Sequence, residues 1–317
     1  MSGSLLGPGP EFDRIRAIAS GLGQRAAGLG DDCALLEVGG TTLAISTDTS
    51  LEDVHFRRAW LSLEEIGWRA TAASLSDLAA AAARPIGILA ALTMPASEPE
   101  SSFASIMAGA GDATASVGGL VLGGDLSRGP SIALTITSIG RAPRPLRRRG
   151  ARPGDGLWVT GELGGARAAL MAWKLARTPD SGARARFARP EPRIEMAAWL
   201  ANAGATAMMD VSDGLAGDAR HLAAASQVSL RIDLDRLPCH ASVTAEAKAL
   251  GEAPGSFAAQ GGEDYELLVT LPAGFDRAPG SGVALTRIGS VEEGEPGRVI
   301  MERNGIPVTL TGYDHFA

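Results

Sequence analysis

Along this chain acidic residues repeatedly fall in glycine- or serine-rich segments at the edge of an apolar run. They are Gly30-Asp31-Asp32, Ser46-Thr47-Asp48, Ser76-Asp77, Gly123-Gly124-Asp125, Asp210-Val211-Ser212-Asp213-Gly214 and Gly261-Gly262-Glu263-Asp264. Carboxylates gathered at strand and helix ends repel one another unless positive charge sits among them. Hard divalent cations, which take oxygen ligands, suit that position, and a phosphate-rich ligand can be held through them. The pattern predicts a magnesium-dependent enzyme acting on nucleotide phosphates.

Periodicity and turn signals place these segments on a scaffold. A helix is predicted over Glu11–Ser20, with strands around Cys33–Leu36 and Leu43–Thr47. A longer helix over Leu63–Ala83 opens with a Ser62/Glu65 capping box and carries a stripe of Ile66, Ala70, Ala73 and Leu78. Pro85 should end it, and Ile86–Thr93 reads as a buried strand. A helix over Ser101–Val117 and strands at Leu120–Leu122 and Ile132–Ile139 complete the first half.

The 317 residues exceed what one core usually serves. The Pro- and Arg-rich stretch Arg141–Pro153 predicts an N-terminal domain over 1–143 and a C-terminal domain over 150–317. In the second half, strands are predicted at Leu157–Thr160, Ala207–Val211, Leu230–Leu234, Glu266–Leu271, Ala284–Val291 and Val299–Glu302. Helices should end near Leu175, cover Arg193–Ala203 and run from Gly214 to Ser226, while Thr178–Pro192 reads as a mobile or surface connection. Both halves are predicted to be α+β or α/β domains with helices covering a sheet.

Charge and cysteine usage narrow the partners. A net charge of −7 argues against a general affinity for nucleic acid. No apolar run approaches the roughly 20 residues that span a bilayer, and Met1–Pro10 lacks the features of a signal peptide. Cys33 and Cys239 form neither a metal-ligand spacing nor a disulfide framework. These features predict a soluble cytoplasmic protein. The G-x-x-x-x-G-K-[ST] pattern of a Walker-type kinase is missing.

Eight segments taken in order resemble the thiamine-monophosphate kinase family. They are GDDCALL (Gly30–Leu36), ISTDT (Ile45–Thr49), VHF (Val54–Phe56), SLSDLAA (Ser74–Ala80), GGDLSRGP (Gly123–Pro130), DVSDGL (Asp210–Leu215), GGEDYEL (Gly261–Leu267) and GYDHF (Gly312–Phe316). The likeness runs from about Glu11 to the C-terminus. It implies the aminoimidazole ribonucleotide synthetase-like fold, with an N-terminal mixed-sheet domain that binds ATP and metal and pairs in a homodimer, and a C-terminal α/β domain. It also implies transfer of the γ-phosphoryl group of ATP to thiamine monophosphate, giving thiamine diphosphate. Leu126-Ser127 departs from the Thr-Thr that often follows GGD in relatives, which puts a minor hydroxyl ligand in doubt and not the reaction.

Several Mg²⁺ ions are implied, with Asp32, Asp48, Asp77, Asp125, Asp210 and Asp213 as ligands and Ser46 and Thr47 helping through hydroxyl or carbonyl oxygens. Singly, an Asp after Gly is more simply a turn former or a helix cap. Asp77 resists that reading, because it lies within a helix pattern where Asp is a poor helix former. Ser212-Asp213-Gly214 opens a helix, where free N–H groups favour an anion. Ser212 is therefore assigned to nucleotide phosphate, and N-capping by Ser212 or Asp213 is compatible with that role. Gly124 permits close approach of the backbone to a nucleotide. Arg148 aligns with the family's nucleotide-phosphate arginine, although Arg147 and Arg149 adjoin it and a solvated basic linker explains the charge equally well.

On the acceptor side the likeness implies His55, Glu263 as partner of the cationic aminopyrimidine–thiazolium body, and Tyr313 as an aromatic wall. Without the family, His55 reads as a packed histidine and Glu263-Asp264 as a polar turn, and Asp314 and His315 shape the C-terminal turn. No general base is required, because a phosphate monoester with its second pKa near about 6 is already ionised. Catalysis would be positioning plus electrostatics in a direct in-line transfer. The other readings are a different ATP-using enzyme of the superfamily and a non-catalytic nucleotide- or metal-binding protein. Selenophosphate synthetase and a hydrogenase-maturation dehydratase are disfavoured by the lack of a Cys in the Gly-rich start and at the C-terminus.

Overall fold

A computed structural model of the chain describes residues 6–26, 29–280, 282–314 and 316; His315 and residues 1–5 lie outside these. The first elements are α1 (Pro10–Leu22), β1 (Ala34–Val38), β2 (Thr41–Leu51), α2 (Leu63–Ala80) and β3 (Arg84–Met94). They are followed by α3 (Glu100–Ser116), β4 (Leu120–Arg128) and β5 (Ala133–Arg141). The five strands form one sheet in the order β1-β2-β5-β3-β4, antiparallel except for the parallel β3–β4 pair. β5 alternates buried and half-buried residues, the period-2 signature of a sheet covered on one face.

The covering layer is α2 and α3. Two glycines let these helices touch: a Cβ on Gly67 would stand 1.9 Å from the Ile106 carbonyl oxygen, and one on Gly109 would stand 1.8 Å from that of Glu64. The predicted Ser62/Glu65 capping box is present at the start of α2. The helix ends at Ala80, before the predicted Ala83, and Pro85 is not its terminator. Ala82 turns the chain at a left-handed φ of 52°, and Pro85 lies inside β3 beside a register shift, where a missing N–H is tolerated. The opposite face of the sheet is open. There Thr47 pairs with Thr137 and Thr49 with Thr135 through their hydroxyls at 2.9 Å, and all of β4 is exposed.

The second half begins with β6 (Gly156–Thr160), α4 (Gly165–Lys174), α5 (Ser181–Ala188), α6 (Ile194–Ala203) and β7 (Ala207–Asp210). It continues with α7 (Leu215–Ser226), β8 (Ser229–Asp233), α8 (Val243–Leu250), α9 (Pro254–Ala259), β9 (Leu267–Leu271), β10 (Leu285–Glu292), β11 (Val299–Arg303) and β12 (Ile306–Val308). Its sheet has the order β12-β11-β8-β10-β6-β9-β7 and is mixed, because β8 and β11 run parallel. The stretch Thr178–Pro192, predicted as a mobile or surface connection, instead contains α5, capped by Asp180 and burying Ala183 and Phe187. No helix among the described residues is long and apolar enough to cross a membrane.

Helix α2 is buried on nearly every side because it faces both halves of the molecule. Glu65 receives two bonds from Arg184 at 2.7 and 2.8 Å, Trp68 donates its indole N–H to the Pro190 carbonyl at 2.9 Å, and Ser76 donates to Asp210 at 2.7 Å. This seam carries the residues described next.

Candidate active site

Three carboxylates from three distant segments meet at the C-terminal end of α2. Asp32 comes from the loop before β1, Asp77 from the last turn of α2 and Asp210 from the end of β7, with one oxygen of each within 4.8 Å of the others. Burial and the like charges around them raise the pKa of Asp77 well above the usual carboxylate range and push that of Asp210 up to about 8. Burial also raises Asp48, and its hydrogen bond with Asp77 opposes that shift. The Ser46 hydroxyl donates to Asp77. Ser46 and Asp48 thus share one face of β2, while Thr47 points to the other. The Thr47 hydroxyl, predicted as one of two alternative ligands, pairs with Thr137 on the open face and cannot join this group; its carbonyl remains compatible.

Arg148 sits against these acids. Its Nη2 lies 2.7 Å and its Nε 3.2 Å from Asp32 Oδ1, and its main-chain N–H donates to Asp31 at 3.0 Å. Burial pulls the guanidinium pKa down, but the charge of Asp32 and its hydrogen bond outweigh this. Arg147 pairs instead with Asp31 at 3.5 Å. The side chain predicted for nucleotide phosphate is therefore engaged with a carboxylate. All donors in the group are oxygens, and the raised pKa values of Asp48, Asp77 and Asp210 mark a place where positive charge is favoured. Such a set fits a hard dication and would release protons on taking one.

Beside this group is a cavity of about 560 Å³ lined by His55, Ser212, Asp213, Glu263 and Tyr313. His55 is oriented by the Leu51 N–H, which donates to its Nδ1 at 3.0 Å. The turn 212–214 organises the rest: the Ser212 carbonyl accepts from Glu263 N at 2.7 Å and the Asp213 carbonyl from Tyr313 N at 2.8 Å. Gly262 must pass close to this turn, since a Cβ there would lie 2.5 Å from the Ser212 carbonyl oxygen. The residue preceding α7 is Gly214, and no side chain caps the helix, so neither Ser212 nor Asp213 plays the predicted capping role.

Gly124 and Asp125 belong neither to the three-carboxylate group nor to the lining of the cavity, and sit on the exposed edge strand β4. A Cβ on Gly124 would stand 1.8 Å from the Ala90 carbonyl oxygen, so packing against β3 already demands glycine there. Asp125 accepts a hydrogen bond from Ser127 at 3.0 Å. Other cavity-lining residues, Arg57, Trp60 and Phe187, escaped the sequence reading. Arg57 lies 4.8 Å over the Trp60 ring, which stacks on Trp173 at 5.0 Å. Arg69 was missed as well. The available signal was a cation inside an otherwise apolar stripe of α2, since a buried guanidinium needs an anion.

The matches to known families coincide with this architecture. The AIR synthase related protein N-terminal domain matches residues 30–142, and the C-terminal domain of the same family matches residues 152–302. The chain is thus an AIR synthase related protein, and its relatives narrow the class. Thiamine-monophosphate kinase of Salmonella typhimurium is 37% identical over 321 residues, covering 96% of this chain and 96% of the relative. That of Mycobacterium tuberculosis is 34% identical over 304 residues, covering 92% and 87%. The solved structure of AaThiL complexed with AMPPCP and TMP gives a TM-score of 0.87 at 32% identity, over 96% of this chain and 97% of that one. The chain belongs to the thiamine-monophosphate kinase family.

Proposed function

We propose that the protein transfers the γ-phosphoryl group of ATP to thiamine monophosphate, giving ADP and thiamine diphosphate. One observation carries the reading: the carboxylate group and the cavity are joined by the single segment Asp210–Gly214, so cation and acceptor sites adjoin. A relative solved with AMPPCP and TMP supports the pair of substrates. Asp32, Asp48, Asp77, Asp125, Asp210 and Asp213, with the Ser46 hydroxyl and the Thr47 carbonyl, would hold Mg²⁺. Such ions, when bound, neutralise charge on the polyphosphate and on the transferring group. Gly124, Asp125, Arg148 and Ser212 serve the nucleotide, and His55, Glu263 and Tyr313 the acceptor. The ionised acceptor phosphate attacks in line, with no side chain needed to take a proton.

The N-terminal domain, over 1–143, pairs with a second copy through its open sheet face, where Leu89 and Leu120 are exposed; the C-terminal domain spans 150–317. The free cysteines Cys33 and Cys239 fit a reducing cytoplasm. The test is incubation with ATP, Mg²⁺ and either thiamine monophosphate or thiamine, followed by mass spectrometry. Thiamine diphosphate should form from the monophosphate. Efficient phosphorylation of thiamine itself, or no product from the monophosphate, would overturn the reading.

A further inference from the structure

Arg69 lies on α2 with its side chain 4% exposed. It donates from Nη1 to the Phe187 carbonyl and from Nη2 to Oε2 of Glu263, and its guanidinium carbon is 3.7 Å from the centroid of the Phe187 ring. Tyr265 Oη donates to the same Oε2 at 2.7 Å. The need to compensate a buried guanidinium explains the ion pair, but not why two donors from different elements converge on one carboxylate oxygen. The loop that offers this oxygen is held in an unusual shape. Glu263 and Tyr265 take φ values of 69° and 51°, which disfavour residues other than glycine. With Oε2 engaged twice, Oε1 is the oxygen left to the cavity, which Glu263 lines with 28% of its side chain exposed.

We infer that Arg69 is a positioning residue: with Tyr265 it holds Glu263 as an oriented, charge-compensated hydrogen-bond acceptor. Glu263 then selects acceptor substrates that carry an exocyclic ring amine over those with a carbonyl oxygen in its place. A bare carboxylate would favour any cation. One already paired with a guanidinium gains less from a second charge and more from a directed N–H donor. The inference rests on the proposed reading of the cavity as the thiamine monophosphate site, and it specifies how Glu263 would partner the aminopyrimidine–thiazolium body.

The experiment compares thiamine monophosphate with its 4-oxo analogue, in which the pyrimidine amine is a carbonyl, in wild type, Arg69→Gln, Arg69→Lys and Tyr265→Phe. The wild type should prefer the amine by at least about tenfold in kcat/KM. Arg69→Gln should bring that preference toward unity and raise the KM for thiamine monophosphate roughly tenfold, with the KM for ATP changed less than about twofold. Arg69→Lys should recover part of the preference, and Tyr265→Phe should lose part of it while keeping the packing of the ring. An unchanged preference in both Arg69→Gln and Tyr265→Phe, or KM values for ATP and acceptor that rise together, overturns the inference. If Arg69→Gln fails to fold, Tyr265→Phe decides. Calorimetric binding of the two acceptors without ATP separates this inference from the reaction. Selective binding without turnover would sink only the kinase reading, and equal binding by the wild type would sink the selection.

Discussion

Removing divalent cations should make this protein lose stability as pH rises from 5 to 7, and the size of the loss follows from Asp210. The residue is 2% exposed and its pKa is pushed from 3.8 to about 8. Below the unfolded value both states hold the proton and no penalty exists. Between the two values the unfolded chain releases the proton while the folded protein keeps it, so each pH unit costs about 1.4 kcal/mol. Two units cost about 2.7 kcal/mol from this group alone, or roughly 5 °C in Tm for a chain of this size. The shifts of Asp77 and Asp48 have the same sign and add to it. A bound dication reverses the trend, because deprotonated ligands bind it more tightly as pH rises. The assay is thermal unfolding at pH 5, 6 and 7, in EDTA and in excess Mg²⁺, for wild type and Asp210→Asn. The wild type should lose stability with pH in EDTA and gain more from Mg²⁺ at pH 7 than at pH 5, while Asp210→Asn should show a flatter profile. Parallel profiles for the two proteins in EDTA, or equal Mg²⁺ stabilisation at both ends, would refute the cation-site reasoning.

Asp77→Asn should lower kcat by about 100-fold or more, since it removes a charge proposed to hold the ion that stabilises the transferring group, yet leave a cooperative melting transition; near wild-type turnover at limiting Mg²⁺ would contradict the assignment. Tyr313→Ala should raise the KM for thiamine monophosphate by about tenfold through loss of a cation–π surface and leave that for ATP nearly unchanged, whereas equal losses would mean that Tyr313 supports only the tail. Leu120→Asp, on the open face of the wholly exposed β4, should convert a dimer to a monomer in sedimentation. A wild-type protein that is monomeric and fully active at high micromolar concentration would remove the dimer from the proposal.

Long elements with strong local signals were legible. The Ser62/Glu65 box and the apolar stripe of α2 depend on neighbours three and four residues apart, and such contacts are written in order along the chain. Short elements whose stability comes from distant partners were not. Residues 178–192 have a weak apolar pattern, and α5 is held there by Phe187 and by Arg184 reaching Glu65 on α2. The short α9 opens on Pro254, where the missing N–H has no helical partner to lose.

The succession of acidic motifs by itself determined the family, the two α/β halves and the carboxyl-rich chemistry, because residue type and spacing need no folding to be read. Which oxygen meets which group was left to the tertiary structure. Only packing across α2 brings Asp32, Asp77 and Asp210 within 4.8 Å and sets Arg148 on Asp32 and Arg69 on Glu263. These are contacts between segments far apart in the chain, and their energies depend on burial and on distances that no local pattern encodes.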